Sequence, residues 1–430
     1  MTTITKLAGM VLYLIGIGVV SRTLNREEFG IYAFLSSLTF IAGFLSFGLG
    51  GELQNRLVKL QYLGEDAGGS LQQKEIFFSI FYAMLAIYLI IGFLLSFGVY
   101  HLNTALFIKT SDPTLLPTAK WLIALAILAQ FVMQPFMIAT SAMYAFSHIT
   151  VHSVLQLIVL IVHLAALVIA VYFGGGFIIF SLINLFYPLI AAMTVLFTFL
   201  FIQKWHFMPI RLQRIIEMTR GMIKESATFW LLNISALVLF QTSIFMVSVV
   251  SDIATTGDFS FYQRLFYAMV MLHLAAVIPL WPNFSHENEK GNFVGMTSIL
   301  RHAIFGTLLY FGVGIIVMFL FGQILVRFWA DREIPIDRLT MTSLSLWALS
   351  FGWINVFSVF LNGVGKIKIQ TTMVAVAATL VFPFSYYLGR KWGVAGIPLA
   401  GAILLVPIVI VLPTQVMSYL EKVQTPKIVR

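Results

Sequence analysis

Apolar residues fill the middle of the chain without interruption by charge. Between Trp121 and Gln203 the sequence runs for 83 residues without a Lys, Arg, Asp or Glu. A membrane-spanning helix needs about 20 predominantly apolar residues, so a run of this length belongs in a bilayer. Polar breaks at residues 146–150 and 174–176 divide the run, which therefore predicts three consecutive spans.

The same alternation of apolar runs and polar breaks continues along the whole chain. It predicts twelve spans, at about residues 7–22, 29–51, 76–100, 119–145, 151–172, 177–203, 226–250, 261–282, 300–326, 339–363, 369–389 and 393–420. These runs are too long and too uniformly apolar for the strands of a membrane barrel, so each span is predicted to be an α-helix. The predicted fold class is an all-α integral membrane protein with twelve transmembrane helices in two six-helix lobes.

A short repeat supports the division into halves. Val19-Val-Ser is followed after six residues by Glu28-Phe-Gly-Ile-Tyr, and Val249-Val-Ser is followed at the same spacing by Asp258-Phe-Ser-Phe-Tyr. Six predicted spans separate the copies, so the halves share one orientation and are related by an axis along the membrane normal. Such parallel repeats predict a substrate path at the interface between the halves.

The composition agrees with a membrane protein. The chain is 60% hydrophobic and 10% charged, whereas soluble domains carry about 25% charged residues. The net charge of +9 is therefore no sign of nucleic-acid binding, because basic residues of membrane proteins gather in short cytoplasmic loops. With the N-terminus inside, sixteen of the 26 Lys and Arg residues fall in cytoplasmic segments, which predicts that both termini are cytoplasmic.

The longest basic segment lies at the midpoint of the chain. Within residues 209–224, apolar residues such as Leu212 and Ile216 follow helical spacing, while Arg214 and its basic neighbours fall elsewhere. This pattern predicts an amphipathic helix on the anionic inner leaflet. The predicted organisation is an N-terminal lobe at 1–203, a cytoplasmic linker at 204–225 and a C-terminal lobe at 226–430, with a simple solvated linker as the alternative.

Four short motifs occur in order along the chain. They are Arg22-Thr-Leu-Asn-Arg-Glu-Glu-Phe-Gly, Phe47-Gly-Leu-Gly, Leu361-Asn-Gly-Val-Gly-Lys and Trp392-Gly-Val-Ala-Gly-Ile-Pro-Leu-Ala. Together they resemble the motifs of bacterial polysaccharide flippases of the O-antigen type, in the multidrug/oligosaccharidyl-lipid/polysaccharide exporter superfamily. The resemblance covers essentially the whole chain. One departure is that an acidic residue often precedes the glycines of span two, where this chain has Ser46 or Phe47.

The resemblance implies a two-lobed exporter rather than an enzyme. Its expected cargo is an undecaprenyl-pyrophosphate-linked oligosaccharide, moved from the inner to the outer leaflet by alternating access for O-antigen and lipopolysaccharide synthesis. The expected setting is the bacterial inner membrane, with membrane lipids, a polysaccharide polymerase and chain-length machinery as candidate partners. No cofactor, metal or nucleic acid is expected, and the sequence leaves the glycan and the energy source open.

Four arginines near the ends of predicted spans are candidates for binding the pyrophosphate. A planar guanidinium pairs bidentately with phosphate oxygens, and ionised groups at membrane depth are costly, so their positions are informative. The repeat predicts that Arg22 and Arg264 face an outer vestibule and that Arg56 and Arg301 lie at the inner mouth. The alternatives are that each arginine extends to lipid headgroups and that Arg56 pairs with Glu52 four residues earlier.

Predicted span seven carries a polar stripe suited to sugar hydroxyls. Trp230, Asn233 and Gln241 fall near one helix face, with hydrogen bonding between neighbouring helices as the alternative role. His273 is a further candidate, although nine residues separate it from Arg264, so the two side chains are expected to point in opposite directions.

Two other functions compete with the flippase. A multidrug or cation exporter of the same superfamily normally needs a carboxylate at membrane depth, and the predicted spans contain none deeper than Glu52 at the end of span two. A membrane-embedded polysaccharide polymerase needs an acidic or metal-binding cluster, usually on a sizeable loop. The longest predicted loop has about 24 residues and no such cluster.

Overall fold

The fold is known from a computed structural model that describes residues 2–42, 49–62 and 67–424. All regular structure in these residues is helical, with fifteen α-helices and two short 3₁₀ turns at Thr104–Leu106 and Gly393–Ala395. Helices α1 to α15 span, in order, Thr2–Ser21, Arg26–Ala42, Leu49–Tyr62, Ala67–His101, Leu115–Ala145, Ile149–Tyr172, Phe177–Gln203, Leu212–Gln241, Ser243–Val250, Ile253–Val277, Leu280–Glu289, Phe293–Ala330, Arg338–Gly363, Lys368–Trp392 and Gly396–Gln424. The predicted all-α class is confirmed.

Eight helical segments of the described chain are long and apolar enough to cross a membrane. They are Ser70–His101, Leu115–Ala145, Ile149–Tyr172, Phe177–Gln203, Ile253–Glu289, Phe293–Ala330, Arg338–Gly363 and Lys368–Val423. The last segment contains both α14 and α15, and Leu7–Ser21 is a shorter apolar helix. A multi-span membrane protein is thus confirmed. The count of twelve stays a prediction, since predicted span two includes residues 43–48, outside the described residues.

The chain packs into two compact units. One comprises Met1–Leu237 with Asp252–Gly257, and the other comprises Val238–Ser251 with Asp258–Arg430. The boundaries after Leu237 and Gly257 fall inside α8 and α10, so each of these helices contributes to both units.

In the first unit, an aromatic cluster fixes the segment that follows α7. Trp205 is buried, and the centroid of its ring lies 5.3 Å from that of Phe199 and 5.8 Å from that of Phe77. The Tyr82 hydroxyl donates a hydrogen bond of 3.1 Å to the carbonyl of Met208. Aromatic packing and this bond therefore hold the segment on the unit.

The basic midpoint segment forms the first turns of a long helix. Helix α8 begins at Leu212 and continues without a break to Gln241, so the predicted span begins within the same helix as the predicted amphipathic segment. Its apolar positions divide between two environments: Met222 is buried in the first unit, while Leu212 and Ile216 are exposed. The absence of proline from 212–241 explains why the helix runs on.

In the second unit, α13 packs against α11, α12 and α15. Trp347 and Phe360 on α13 are buried. The indole N–H of Trp353 donates a hydrogen bond of 3.2 Å to the Val409 carbonyl on α15. This contact satisfies a polar atom between two apolar helices, as a membrane interior requires.

Side chains cap the starts of α2 and α10. Asn25 and Glu28 form a reciprocal capping box, in which each side chain accepts a hydrogen bond from the other residue's backbone N–H at 2.9 and 3.0 Å. Asp252 accepts the backbone N–H of Thr255 at 2.8 Å. Burial acts to raise the pKa of Asp252, but the bonds from Thr255 and the charge of Arg26 lower it overall.

The order of helices is similar in the two halves of the chain. Helices α2 and α3 precede the 35-residue α4, while α10 and α11 precede the 38-residue α12. In the repeated sequence segments, Phe29 and Tyr32 are buried in one copy, and Phe259 and Tyr262 in the other. These observations favour the repeat that places Glu28 and Asp258 at equivalent positions, 230 residues apart. The repeat stays a prediction.

Two glycines allow α2 to cross the start of α10 at close range. A Cβ atom at Gly30 would overlap the carbonyl oxygen of Ile253, and one at Gly257 would lie 3.0 Å from the Gly30 Cα. Contact at this distance needs residues without side chains.

The loop between α4 and α5 is anchored on the first turn of α2. Glu27 accepts hydrogen bonds from the hydroxyls of Thr110 and Ser111 and from the backbone N–H groups of Ser111 and Asp112. Burial acts to raise the pKa of Glu27, but these hydrogen bonds outweigh it and lower the pKa from 4.5 to about 2.

Replacing Gly30 tests the close crossing. Gly30→Ala forces the backbones of α2 and α10 apart, which should lower the free energy of unfolding by about 1–3 kcal/mol. Gly306→Ala on α12 is the control, because a Cβ there meets nothing within 4 Å. Thermal unfolding of the purified protein in detergent measures both, and equal midpoints for the two variants would contradict the crossing.

The Glu27 contacts predict a defined pH dependence. Because the folded-state pKa is depressed, the stability they contribute is present above pH 4.5 and is lost as the pH falls towards about 2. Glu27→Gln should therefore be less stable than the wild type at neutral pH, with a difference that shrinks in this window. Glu333→Gln is the control, because Glu333 is exposed and its ion pair with Arg327 lies at the surface, where such pairs contribute little. A difference that stays constant from pH 6 to pH 2 would count against the predicted linkage.

Candidate functional site

Arg264 is a buried cation within a membrane-spanning segment. It lies on α10, is 8% exposed, and donates a hydrogen bond of 2.7 Å from Nη1 to the hydroxyl of Ser260, one turn earlier. Among the described residues, no carboxylate forms an ion pair with it. A guanidinium carries five N–H donors, so this arrangement leaves donors able to bind an anion bidentately.

Gln241 reaches the same face of α10. Its amide, at the end of α8, donates a hydrogen bond of 3.1 Å to the hydroxyl of Tyr267. Ser260, Arg264 and Tyr267 are spaced four and three residues apart and so share one helix face. The structure therefore brings two sequence-predicted site residues, Arg264 and Gln241, onto one polar surface of the second unit.

The remainder of the predicted span-seven stripe is less regular. Helix α8 ends at Gln241 and α9 begins at Ser243, so one straight helix does not carry the whole stripe. Trp230 is half-buried, and the side chain of Asn233 lies outside the described residues. Roles for these two residues in substrate binding stay predictions.

His273 bridges two helices of the second unit. Its Nε2 lies 2.8 Å from the hydroxyl of Thr307 on α12, and that hydroxyl donates its own proton to the Ala303 carbonyl at 2.7 Å. The hydroxyl must therefore accept from His273, which assigns the proton to Nε2. The ring also packs 5.1 Å from that of Phe311. These contacts give His273 a packing role, and its predicted contact with substrate stays untested.

The other three candidate arginines have different environments. Arg56 on α3 is ion-paired with Glu52 at 2.8 Å, which confirms the alternative of pairing within the helix. Arg22 and Arg301 are both exposed, Arg22 directly after α1 and Arg301 in the third turn of α12, and an exposed arginine extends to lipid headgroups at little cost. Arg22 and Arg56 belong to the first unit, and Arg301 to the second. A shared vestibule or inner mouth stays a prediction.

One ion pair was missed from the sequence. Asp258 on α10 is 9% exposed and lies 3.6 Å from Arg332. The predicted span began at residue 261, whereas α10 begins at Ile253. The segment Thr-Thr-Gly-Asp at 255–258 resembles a loop in composition, so its place inside an apolar helix was not evident.

Known proteins match this chain in fold but not in sequence. No family model and no curated protein matches it. The lipid II flippase MurJ in an inward closed conformation superimposes with a TM-score of 0.69 at 16% identity, covering 98% of this chain and 89% of that one. An inward-facing multidrug resistance MATE family transporter of the MOP superfamily gives 0.65 at 13% identity, covering 97% and 96%.

A third solved structure extends the comparison. A MOP superfamily transporter from Pyrococcus furiosus gives a TM-score of 0.61 at 11% identity, covering 98% of this chain and 95% of that one. The likeness to these three structures runs the length of the chain. It establishes that the chain shares the fold of these three proteins.

The histidine bridge can be tested by removing its acceptor. Thr307→Val leaves the buried Nε2–H of His273 without a partner and should lower the free energy of unfolding by about 1–3 kcal/mol. Thr342→Val on α13 is the matched control, because its hydroxyl is exposed and bonds only the Arg338 carbonyl of its own helix. Thermal unfolding midpoints in detergent report both, and an unchanged midpoint for Thr307→Val would contradict the bridge.

Proposed function

We propose that the protein moves a lipid-linked oligosaccharide, carried on undecaprenyl pyrophosphate, from the inner to the outer leaflet of the bacterial inner membrane. The observation that carries this proposal is Arg264, a buried guanidinium with one neutral hydrogen-bond partner and no ion pair among the described residues. An uncompensated charge at this depth is costly, so it marks a binding function.

Arg264 suits a pyrophosphate for geometric and electrostatic reasons. The guanidinium offers parallel N–H groups that match two phosphate oxygens, and its charge offsets the loss of water around the anion. The Ser260 hydroxyl fixes the Nη1 side of the group at 2.7 Å, which orients the opposite edge. Tyr267 and Gln241, on the same face, add a hydroxyl and an amide able to bind sugar or phosphate oxygens.

The fold supports a transporter, and the sequence motifs favour the lipid-linked cargo. The chain has the fold of proteins that include the lipid II flippase MurJ. Its motifs resemble those of O-antigen flippases, which implies a role in surface polysaccharide synthesis, with both termini in the cytoplasm. A polymerase and chain-length machinery are the partners this role would bring.

A multidrug or cation exporter is the competing function. It would need a carboxylate free to bind a cation at depth. Asp258 is the one acidic residue that is buried among the described residues, and Arg332 lies 3.6 Å from it. Capture of a cationic substrate there would have to break this pair, which favours an anionic cargo instead.

Conservative and truncating changes at Arg264 test the proposal. Arg264→Lys keeps the charge and loses the bidentate fork, so flipping should fall about tenfold, with a larger fall in Arg264→Ala; loss of charged hydrogen bonds of about 1.5–3 kcal/mol sets this scale. Arg338→Lys, at an exposed position in the same unit, should leave the rate unchanged.

The measurement is the appearance of a fluorescent lipid-linked oligosaccharide in the opposite leaflet of proteoliposomes. Unfolding midpoints for all variants establish that each is folded. Wild-type rates in both Arg264 variants would assign this residue to anchoring and remove the main support for an anionic cargo.

A further inference from the structure

An open cavity beside α11 lies apart from the surface that carries Arg264 and Gln241. Its volume is about 540 Å³, within the range of about 300–1,000 Å³ typical of small-molecule sites. Ile278 and two prolines, at 279 and 282, form its apolar side, and all of its lining residues belong to the second unit. Trp281 supplies an indole that is 45% exposed.

Polar side chains line the same cavity at helical spacing. Trp281, Ser285 and Glu289 follow one another at intervals of four residues, and His286 lies next to them. Residues at this spacing stand one above the other on a helix. The cavity thus combines an aromatic ring with a hydroxyl, an imidazole and a carboxylate on one helix face.

The opposite face of α11 is committed to packing. Phe284 is fully buried, with its ring 5.0 Å from that of Phe360 on α13. Asn288 accepts a hydrogen bond of 2.5 Å from the Tyr419 hydroxyl, and Glu287 accepts one from Asn292. In contrast, the side chains of Ser285, His286 and Glu289 form no hydrogen bond or ion pair with any described residue.

Close backbone contact makes this face a rigid support. A Cβ at Gly363 on α13 would lie 2.7 Å from the Phe284 Cβ and 3.1 Å from the Trp281 carbonyl oxygen. Helix α11 therefore rests directly on α13, and the backbone that carries the cavity residues is held in place before any ligand arrives. Preorganisation of this kind lowers the entropic cost of binding.

We propose that this cavity binds a sugar ring of the transported oligosaccharide. A pyranose has an apolar C–H face, which stacks on an indole, and hydroxyl groups around its edge. The apolar face of the sugar would stack on the indole of Trp281. Its hydroxyl groups would donate hydrogen bonds to Ser285 and Glu289, and His286 would act as a donor or an acceptor. Among the residues that the structure describes, no arginine or lysine lines the cavity, so it is matched to a neutral or amino sugar rather than to phosphate.

This inference rests on the proposed function, which it deepens by separating two contacts of one cargo. Arg264 would bind the pyrophosphate common to all such lipids, whereas the Trp281 cavity would bind the glycan that distinguishes them. Substitutions in the two places should therefore have different effects on cargo with and without sugar.

Binding of two natural lipids to the full chain in nanodiscs tests the separation. One is undecaprenyl pyrophosphate, and the other is the oligosaccharide-linked form extracted from the cell of origin. Trp281→Ala and Glu289→Ala should each weaken binding of the glycosylated lipid about tenfold, the scale set by loss of one or two modest contacts, and leave the bare lipid unaffected. Arg264→Ala should weaken both lipids equally.

Trp392→Ala is the matched control, since Trp392 is 42% exposed in the same unit and lies outside the cavity. It should leave both affinities unchanged, because its ring contributes nothing to the cavity. If Trp281→Ala and Glu289→Ala leave the ratio of the two affinities at the wild-type value, the sugar site is excluded.

A direct probe keeps this test independent of the proposed function. The eight tryptophans are replaced by 5-fluorotryptophan, the Trp281 resonance is assigned with Trp281→Phe, and free hexoses and N-acetylhexosamines are added at millimolar concentration. A shift confined to the Trp281 resonance supports the site, and no shift with any sugar overturns it. Wild-type protein that binds neither lipid would refute the flippase, while this measurement would still decide the cavity.

Discussion

A polar group in the hydrocarbon core of a bilayer is costly unless the protein itself supplies its partner, because no water is present to do so. This constraint explains the pairs that recur between elements of the second unit. Gln241 bonds Tyr267 and His273 bonds Thr307, each between two helices, and Asp258 on α10 forms an ion pair with Arg332 in the segment after α12. Each pair lowers the cost of a buried polar group and at the same time links two elements. Arg264 departs from this pattern because its cationic group has only a neutral partner among the described residues, and the proposed binding role rests on that departure.

Charge-free runs predict the ends of helices well where a polar break interrupts or ends the run. The predicted ends at 145, 172 and 203 coincide with the ends of α5, α6 and α7, because turns at Phe146, Phe173 and Lys204 follow directly. The prediction failed where a helix begins in polar sequence. Helix α10 starts at Ile253, eight residues before the predicted span. Asp252 caps this start, and Gly30 on α2 leaves room for the first turns of α10 to pack against it.

Sequence alone identified several site residues but not their partners. Arg264, Gln241 and His273 are conspicuous as polar residues in apolar runs. Their contacts with Ser260, Tyr267 and Thr307 depend on helix rotation and, in two of the three pairs, on which helices are neighbours. The α11 cavity had no comparable signal, since it arises where two prolines end one helix and begin another. Its polar lining then depends on which face of α11 packs on α13.

The aromatic cluster of Trp205, Phe199 and Phe77 argues against dividing the chain between α7 and α8. A flexible tether could be cut or lengthened with little effect, but the residues after α7 belong to the interior of the first unit, as does Met222 in the early turns of α8. Two fragments separated at residue 211 would divide this buried cluster, because Trp205 would lie on one fragment and Met222 on the other. Thr242, between α8 and α9, is itself buried and offers no better point of division. The chain is therefore best kept continuous from α7 through α9.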